Sequence, residues 1–401
     1  MEFLFPANWY LLPAIGFWMS AFLVFHTYFL YPLLLRFWSS NRTVTKPALP
    51  DDAQLPHVSV LMAVYNEAAV IRQKMEALLA LDYPADRLRI YVGSDRSSDG
   101  TNAILRAYAA RYDHIHVWYA EQRTGKSQIL NRLYATLTVR TPAAPDHLLL
   151  LTDANVFPAP DLLRQMIPHF QRPAIGLVDS HMQHVGTDAG GIAASEDRYI
   201  RREVRIKHAE SQLWQAMIGP FGGCFMLRSD LYEPIPSHFK VDDFYLALTL
   251  LERGYGAVNE LDAVCTETVG SNLSGEFRRK RRIGTGNFQN LRRFRALWLR
   301  CWTPVGFALL SHKVLRWLVP FFLIVALGGS LLLALGGYAL YQLAFAVQVL
   351  LWFVLPLLDA RLGIGGFARD LRYFVQMNYA LLLGFVDWRR GVKDGTWEPV
   401  R

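Results

Sequence analysis

Acidic side chains are absent from residues 278–300, cysteine occurs three times in 401 residues, and charged residues make up 19% of the chain against 52% apolar. Soluble domains average about 25% charged. So low a charge excludes a disordered chain and points to a membrane contribution. Cys224, Cys265 and Cys301 are too few and too scattered for a disulfide framework or a cysteine zinc site, and read as free thiols of a reducing compartment. A phosphate-binding P-loop is missing as well. The run Thr124-Gly125-Lys126-Ser127 needs a first glycine at position 120, which is Ala120. The acid-free stretch 278–300 carries nine basic residues, more than the whole net charge of +8. The rest of the chain is near neutral, which excludes general binding to nucleic acid.

Long apolar runs are what the chain does have. Residues 10–35 contain one histidine and no formal charge, long enough to cross a hydrocarbon core that takes ~20 residues. The basic residues Arg36, Arg42 and Lys46 come after this run instead of preceding it. That order excludes a signal peptide and puts the chain from residue 36 onward in the cytoplasm. Residues 317–336 and 338–358 read as two further spans in a tight hairpin. Residues 373–388 are a shorter fourth candidate with Gln376 and Asn378 inside it. As a span it would carry Arg389, Arg390, Lys393 and Arg401 outward, against the charge rule. The domain reading is therefore 1–47 for the first membrane helix and linker start, 48–275 for a soluble domain, 276–312 for basic interfacial helices, and 313–401 for the C-terminal membrane region.

Within the soluble part, apolar β-branched runs at 58–64, 87–95, 115–120 and 147–154 alternate with helical spacing at 67–81, 101–112 and 125–137. Alternation of this kind predicts a mostly parallel sheet covered by helices, with ligands at the carboxyl ends of strands. Asn66, Glu67, Asp95 and Asp153 fall at those ends.

Five runs in order carry a resemblance: 58–71, SDRSSDGT at 94–101, RTGKSQILN at 123–131, LLTDAN at 150–155 and VDDFYLALTLLERGY at 241–255. Together they resemble the membrane-bound family 2 glycosyltransferases, with SHKVLRWLVP at 311–320 and the closing WEPVR similar to the poly-N-acetylglucosamine, cellulose, chitin and hyaluronan synthase group. The resemblance implies an α/β GT-A fold (Rossmann-like, mostly parallel sheet) facing the cytoplasm, plus transmembrane helices, at a bacterial inner membrane. It implies inverting transfer from a nucleoside-diphosphate sugar, UDP-linked for preference, to a growing glycan. Single transfer to a lipid-linked acceptor is the alternative. A narrow bundle of spans suggests a homo-oligomer or an accessory membrane subunit.

A diphosphate leaving group gathers negative charge, and a divalent cation, Mg2+ or Mn2+, is its natural stabiliser. Asp153 suits that role. The family's D-x-D is here Asp153-Ala154-Asn155, so Asn155 either ligates weakly through its amide oxygen or touches the ribose. The resemblance assigns Asn66, Glu67 and Asp95 to the uridine end. Asp95 competes with a turn-forming role, and Asp99 reads as a turn residue beside Gly100. Lys126 meets a phosphate or is a solvated lysine. The resemblance makes Asp243 the base that accepts the acceptor proton, supported by Asp242, while the residues themselves read as the cap of an apolar helix, and both roles can hold. The resemblance places Gly222 and Gly223 in a loop beside the acceptor, and a plain turn is the alternative. Related synthases carry Q-x-x-R-W near the basic run. This chain has Arg278-Arg279-Lys280-Arg281-Arg282 without tryptophan, and Gln289 comes later, so Arg281 or Arg282 is expected at the diphosphate. Residues 288–300 read as an amphipathic helix on an anionic leaflet.

Overall fold

The computed structural model describes residues 8–42, 46–140, 143–144, 146–185, 192–268 and 273–392. The closing WEPVR, Lys393 and Arg401 lie outside them. Eight strands form one sheet in the order β3-β2-β1-β4-β7-β6-β8-β5. They are β1 (His57–Val64), β2 (Leu88–Ser94), β3 (Ile115–Tyr119), β4 (His147–Thr152), β5 (Val156–Pro158), β6 (Ile175–Val185), β7 (Cys224–Arg228) and β8 (Gly256–Thr268). β1 pairs in parallel with both β2 and β4, and β2 with β3. Seven of eight β1 residues and all of β4 are buried. Burial on both faces explains why these strands read as unbroken apolar runs instead of alternating. β7 runs antiparallel to β4 and β6, and β8 is parallel to β6.

Chain order reverses at β1, which sits between β2 and β4. A crevice opens beyond the carboxyl ends at such a switch point. The helix Lys126–Arg140 starts there, and the helix Asp242–Glu252 presents its first turn to the same edge. Apolar cores fill both faces of the sheet, one around Leu61, Leu149 and Phe225, the other around Val60, Ile90 and Leu150.

Among the described residues, three helices are long and apolar enough to cross a membrane: Leu11–Ser39, Pro304–Leu335 and Ala339–Leu362. The first two pack antiparallel, with Gly16 against Val325 and His26 Nε2 at 3.0 Å from Ser311 Oγ. Their outer faces expose Phe22, Phe29 and Ile324, and the third exposes Leu343, as a lipid-facing surface does. Residues 373–388 fall inside the helix Gly366–Arg390, which is not among the three. It lies along the basic helix Leu273–Arg293 instead, with Arg281 Nε donating to Asp387 Oδ2 at 2.6 Å. Gly384 permits the close crossing, because a Cβ there would sit 2.8 Å from the Arg281 carbonyl.

The amphipathic segment expected at 288–300 differs in two ways. The helix begins at Leu273, takes in 278–282, and breaks at Phe294. Its apolar stripe meets protein instead of lipid: Phe288 packs on Phe385 and Trp388, and Phe294 on Tyr245. The stripe that would suit a leaflet also suits another helix, and here a helix covers it.

A buried ionic joint fastens the helix before β7 to the first two of these apolar helices. His312 lies 2.8 Å from both Glu203 and Glu210. Tyr31 of the first span donates to Glu210 at 2.8 Å, and Arg316 Nη1 donates to Glu203 Oε2 at 2.6 Å. Lys313 also binds Glu203. The Ser311–Arg316 run is thus consumed by this joint.

Candidate active site

The end of β4 is held from below. Lys74, fully buried, donates to Thr152 Oγ1 at 2.7 Å and also to the Val156 carbonyl. Thr152 Oγ1 in turn donates to the Gly223 carbonyl at 3.0 Å, and so does the Asp153 amide at 2.9 Å. Burial pulls the Lys74 ammonium down to about 8. This rigid turn presents the Asp153 carboxylate to a cavity of about 1230 Å3.

Lys126, the first residue of its helix, reaches the same point. Its Nζ lies 2.8 Å from Asp153 Oδ1 and 3.2 Å from Asp242 Oδ2. Burial opposes its charge, but Asp153 and Asp242 outweigh that and hold the ammonium above the usual lysine range. Asp243 stands beside the pair. Burial first, and the Asp242 charge second, push its carboxyl up to about 7. A carboxyl poised there exchanges protons near neutral pH, as a general base must. Asp153, Lys126, Asp242 and Asp243 all line the one cavity, so acids far apart in the chain converge on one pocket.

Gly222 has φ +77, and a Cβ on it would sit 2.4 Å from Asp243 Oδ2. A side chain there is excluded by both backbone and space. Gly222 therefore faces the site. Gly223 is buried behind it and serves through its carbonyl. Two residues that sequence reading missed support this loop. Asp179 and Lys207 form a fully buried ion pair, Asp179 accepts from the Phe221 amide, and the Lys207 ammonium lies 3.7 Å from the Phe221 ring centre. Neither sits in a motif with local spacing, so nothing in the sequence marked them.

Asn155 donates its amide to Glu267 Oε1 at 2.8 Å, while Glu267 lies 3.7 Å from His184 Nε2. The amide carbonyl is then the atom Asn155 can offer to a ligand. Among the described residues no three His, Cys, Asp or Glu side chains form a ready-made cation site. One carboxylate with one amide oxygen nevertheless fits a cation that takes its other ligands from substrate phosphates.

The residues expected at the uridine end divide. Glu67 lines the cavity. Asn66, in the left-handed region at φ 53, accepts from the Ser98 amide at 2.8 Å. Asp95 is fully buried and accepts from the amides of Thr124 at 2.7 Å and Gly125 at 3.1 Å, with Arg123 Nε at 3.3 Å. It stitches the loop before Lys126 to the end of β2. Asp99 accepts from the amides of Ala68 and Thr101, each at 3.0 Å, as a turn residue does.

The basic run also divides, because neighbours on a helix point about 100° apart. Arg282 lines the cavity. Arg281 does not: both its Nε and its Nη2, the latter at 2.7 Å, are bound to Asp387. Gln289 lies outside the cavity too, accepting from the Lys240 amide at 3.1 Å and donating to the His238 carbonyl at 2.7 Å. It pins the loop that leads into the Asp242 helix.

The far end of the cavity runs between the first two apolar helices and the helix Gly366–Arg390, past Tyr28, Trp317, Phe374 and Met377.

Comparison with known proteins agrees with this architecture. The model of the family described as "Glycosyltransferase like family 2" matches residues 56–286. Over 126 residues the chain is 35% identical to the beta-monoglucosyldiacylglycerol synthase of Trichormus variabilis, covering 31% of this chain and 25% of that protein. The chain thus spans about a quarter of that relative's length. Glycosyltransferase AglE of Haloferax volcanii is 23% identical over 265 residues, covering 63% of this chain and 82% of that protein. Among solved structures, the mannosyltransferase PcManGT of Pyrobaculum calidifontis, in complex with GDP-Man and Mn2+, superposes with a TM-score of 0.69 at 22% identity, covering 94% of this chain and 99% of that one. That likeness establishes a shared fold. With a family match running from the first strand into the helix that carries Arg282, the chain belongs to glycosyltransferase family 2, on a GT-A framework.

Proposed function

We propose that the chain is an inverting glycosyltransferase working at a membrane, moving a sugar from a nucleoside-diphosphate donor to an acceptor hydroxyl. One observation carries the reading: Lys126 lies between Asp153 and Asp242, with the near-neutral carboxyl of Asp243 alongside. Lys126 and Arg282 face the leaving diphosphate and oppose its growing charge. Asp243 takes the acceptor proton as the acceptor oxygen bonds to the anomeric carbon from the side opposite the departing diphosphate. Asp242 keeps that carboxyl basic by like charge. Asp153 and the Asn155 carbonyl would hold a divalent cation, which supplies Lewis-acid charge to the diphosphate. Support for a sugar-nucleotide with a cation comes from the complex reported for the mannosyltransferase neighbour.

The acceptor is the finer question. Extension of a glycan, as in the polysaccharide synthases, and a single addition to a lipid-linked acceptor both use this chemistry. The second reading has its own support: the cavity continues between helices of the membrane region, and the synthase relative's name is that of a glycolipid-forming enzyme. The three apolar helices, and the basic residues after the first, support a domain on the cytoplasmic side of a bacterial inner membrane. The test is release of nucleoside diphosphate from a panel of nucleotide sugars, followed by product length. A ladder marks extension and one added sugar marks single transfer. Absence of turnover with every donor in lipid and with Mg2+ or Mn2+ would refute the reading.

A further inference from the structure

The membrane end of the cavity has a charge pattern that the transfer chemistry does not use. Five basic side chains line it: Arg198, Arg202, Lys280, Lys313 and Arg316. Three carboxylates answer them. Asp370 binds Arg198, Glu276 binds Lys280 at 3.0 Å, and Glu203 serves both Lys313 and Arg316. Among the described residues, basic side chains outnumber carboxylates at this end. Arg202 makes no hydrogen bond or salt bridge with a described residue, and its side chain is exposed at the cavity. Desolvation in the cavity first, and the nearby Arg316 charge second, hold its guanidinium below the usual range. Arg316 lines the same cavity, with 11% of its side chain exposed and Nη1 held by Glu203. Next to these cations the wall is apolar, made by Trp317, Phe374, Met377 and Leu381. A site with a surplus of guanidinium beside an apolar wall suits an anion on an apolar chain, and Arg suits phosphate oxygens in particular.

We propose that this arm binds the headgroup of the acceptor lipid through a phosphate placed between its apolar chain and its acceptor hydroxyl. The phosphate lies on Arg202 and Arg316, and the chain runs along Trp317 and Met377. The inference rests on the transferase reading and adds the class of acceptor. Its step balances as before: the acceptor hydroxyl oxygen bonds to the anomeric carbon, its proton passes to Asp243, and the nucleoside diphosphate leaves with the electrons of the broken bond. The lipid phosphate is neither formed nor broken.

The test titrates the full chain, in an uncharged maltoside detergent and without donor, with dihexanoyl phosphatidylglycerol and with the uncharged dihexanoylglycerol. The phosphate lipid is expected to bind about 10-fold or more tightly. Arg202→Gln is expected to remove that preference and leave affinity for the neutral lipid alone, and Arg202→Lys to retain part of it. Equal affinity of the wild type for the two lipids overturns the proposal, with no variant needed. So does an Arg202→Gln variant, folded by its thermal midpoint, that keeps the preference. Inorganic phosphate is the third ligand. If it alone displaces the lipid fully at matched concentration, the site is for a free anion and the lipid assignment fails. Because binding is read without donor, loss of the phosphate preference and loss of nucleotide-sugar turnover are separate failures.

Discussion

The donor end and the membrane end of the cavity use the same side-chain types and differ in how they are mounted. At the donor end, Asp153 leaves a strand end, and Lys126, Asp242 and Asp243 occupy first turns of helices. Carboxylates outnumber cations there. Backbone of a strand end or of a helix's first turn fixes each position, as the proposed displacement needs, since reacting groups must be held near van der Waals distance. At the membrane end the charges come from faces of separate helices. They are fixed by one another: Glu203 gathers His312, Lys313 and Arg316 from a distant part of the chain. Cations are in surplus among the described residues. On the proposed reading the donor end is the reaction site, and the membrane end is a charged socket that joins the sheet domain to the apolar helices. Perturbing each in turn separates the two roles.

The largest expected effect is at the donor end. Asp243→Asn removes the proton acceptor and lowers the transfer rate by ~10²–10⁴-fold, while nucleotide binding persists. In the wild type the base works only when ionised. With the carboxyl at about 7, kcat/KM should climb as pH rises through that value and fall away below it. Loss of that limb in the variant, measured as nucleoside diphosphate release against pH, identifies the residue. An unchanged limb assigns it elsewhere.

Next comes the membrane end. Glu203→Gln leaves Lys313, Arg316 and His312 clustered around a neutral amide in a site where Glu203 is 5% exposed. Breaking a buried pair from one side costs about 3–5 kcal/mol. Thermal unfolding should show a large loss of stability, with any folded fraction still turning over donor. A variant of native stability would mean that the joint is not what holds the domain to its helices.

Gly222→Ala brings the contrast back to the donor end at smaller scale. Its Cβ would meet Asp243 Oδ2 at 2.4 Å from a positive-φ backbone. A shift of the base by about 1 Å costs on the order of 10²-fold in rate. Affinity for lipid at the other end should not move. A fall in both would show that the ends are mechanically coupled.

Legibility in the sequence follows the same division. The four parallel strands, the helices between them and Asp153 at a strand end were readable because each depends on local periodicity and on the carboxyl-edge rule. Asp242 and Asp243 were readable as a helix start. The supports were not. Lys74 beneath Thr152, Asp179 with Lys207 beneath Phe221, and Glu267 beside Asn155 are contacts between residues 28 to 112 positions apart, with no pattern in either partner. Asp95 shows a finer limit: its place at a strand end was clear, but its bonds to the 123–125 loop depend on how that loop folds back. The stripe at 288–298 was visible, but hydrophobic spacing does not say whether lipid or a helix will cover it.

The smallest effect separates two neighbours that sequence left as alternatives. Arg281 and Arg282 are adjacent, yet Arg281 is bound to Asp387 with 41% of its side chain exposed, and Arg282 faces the cavity. A pair so exposed contributes about 0–1 kcal/mol, because water and salt screen it. Arg281→Gln should therefore shift the unfolding midpoint slightly and leave the donor KM unchanged. If Arg282 meets the diphosphate as proposed, Arg282→Gln should raise donor KM by roughly 10-fold, the effect of one charge-assisted hydrogen bond. If the two variants raise KM alike, the 273–293 helix must turn on binding to bring Arg281 inward. The tie to Asp387 would then be a latch on the donor site instead of a brace.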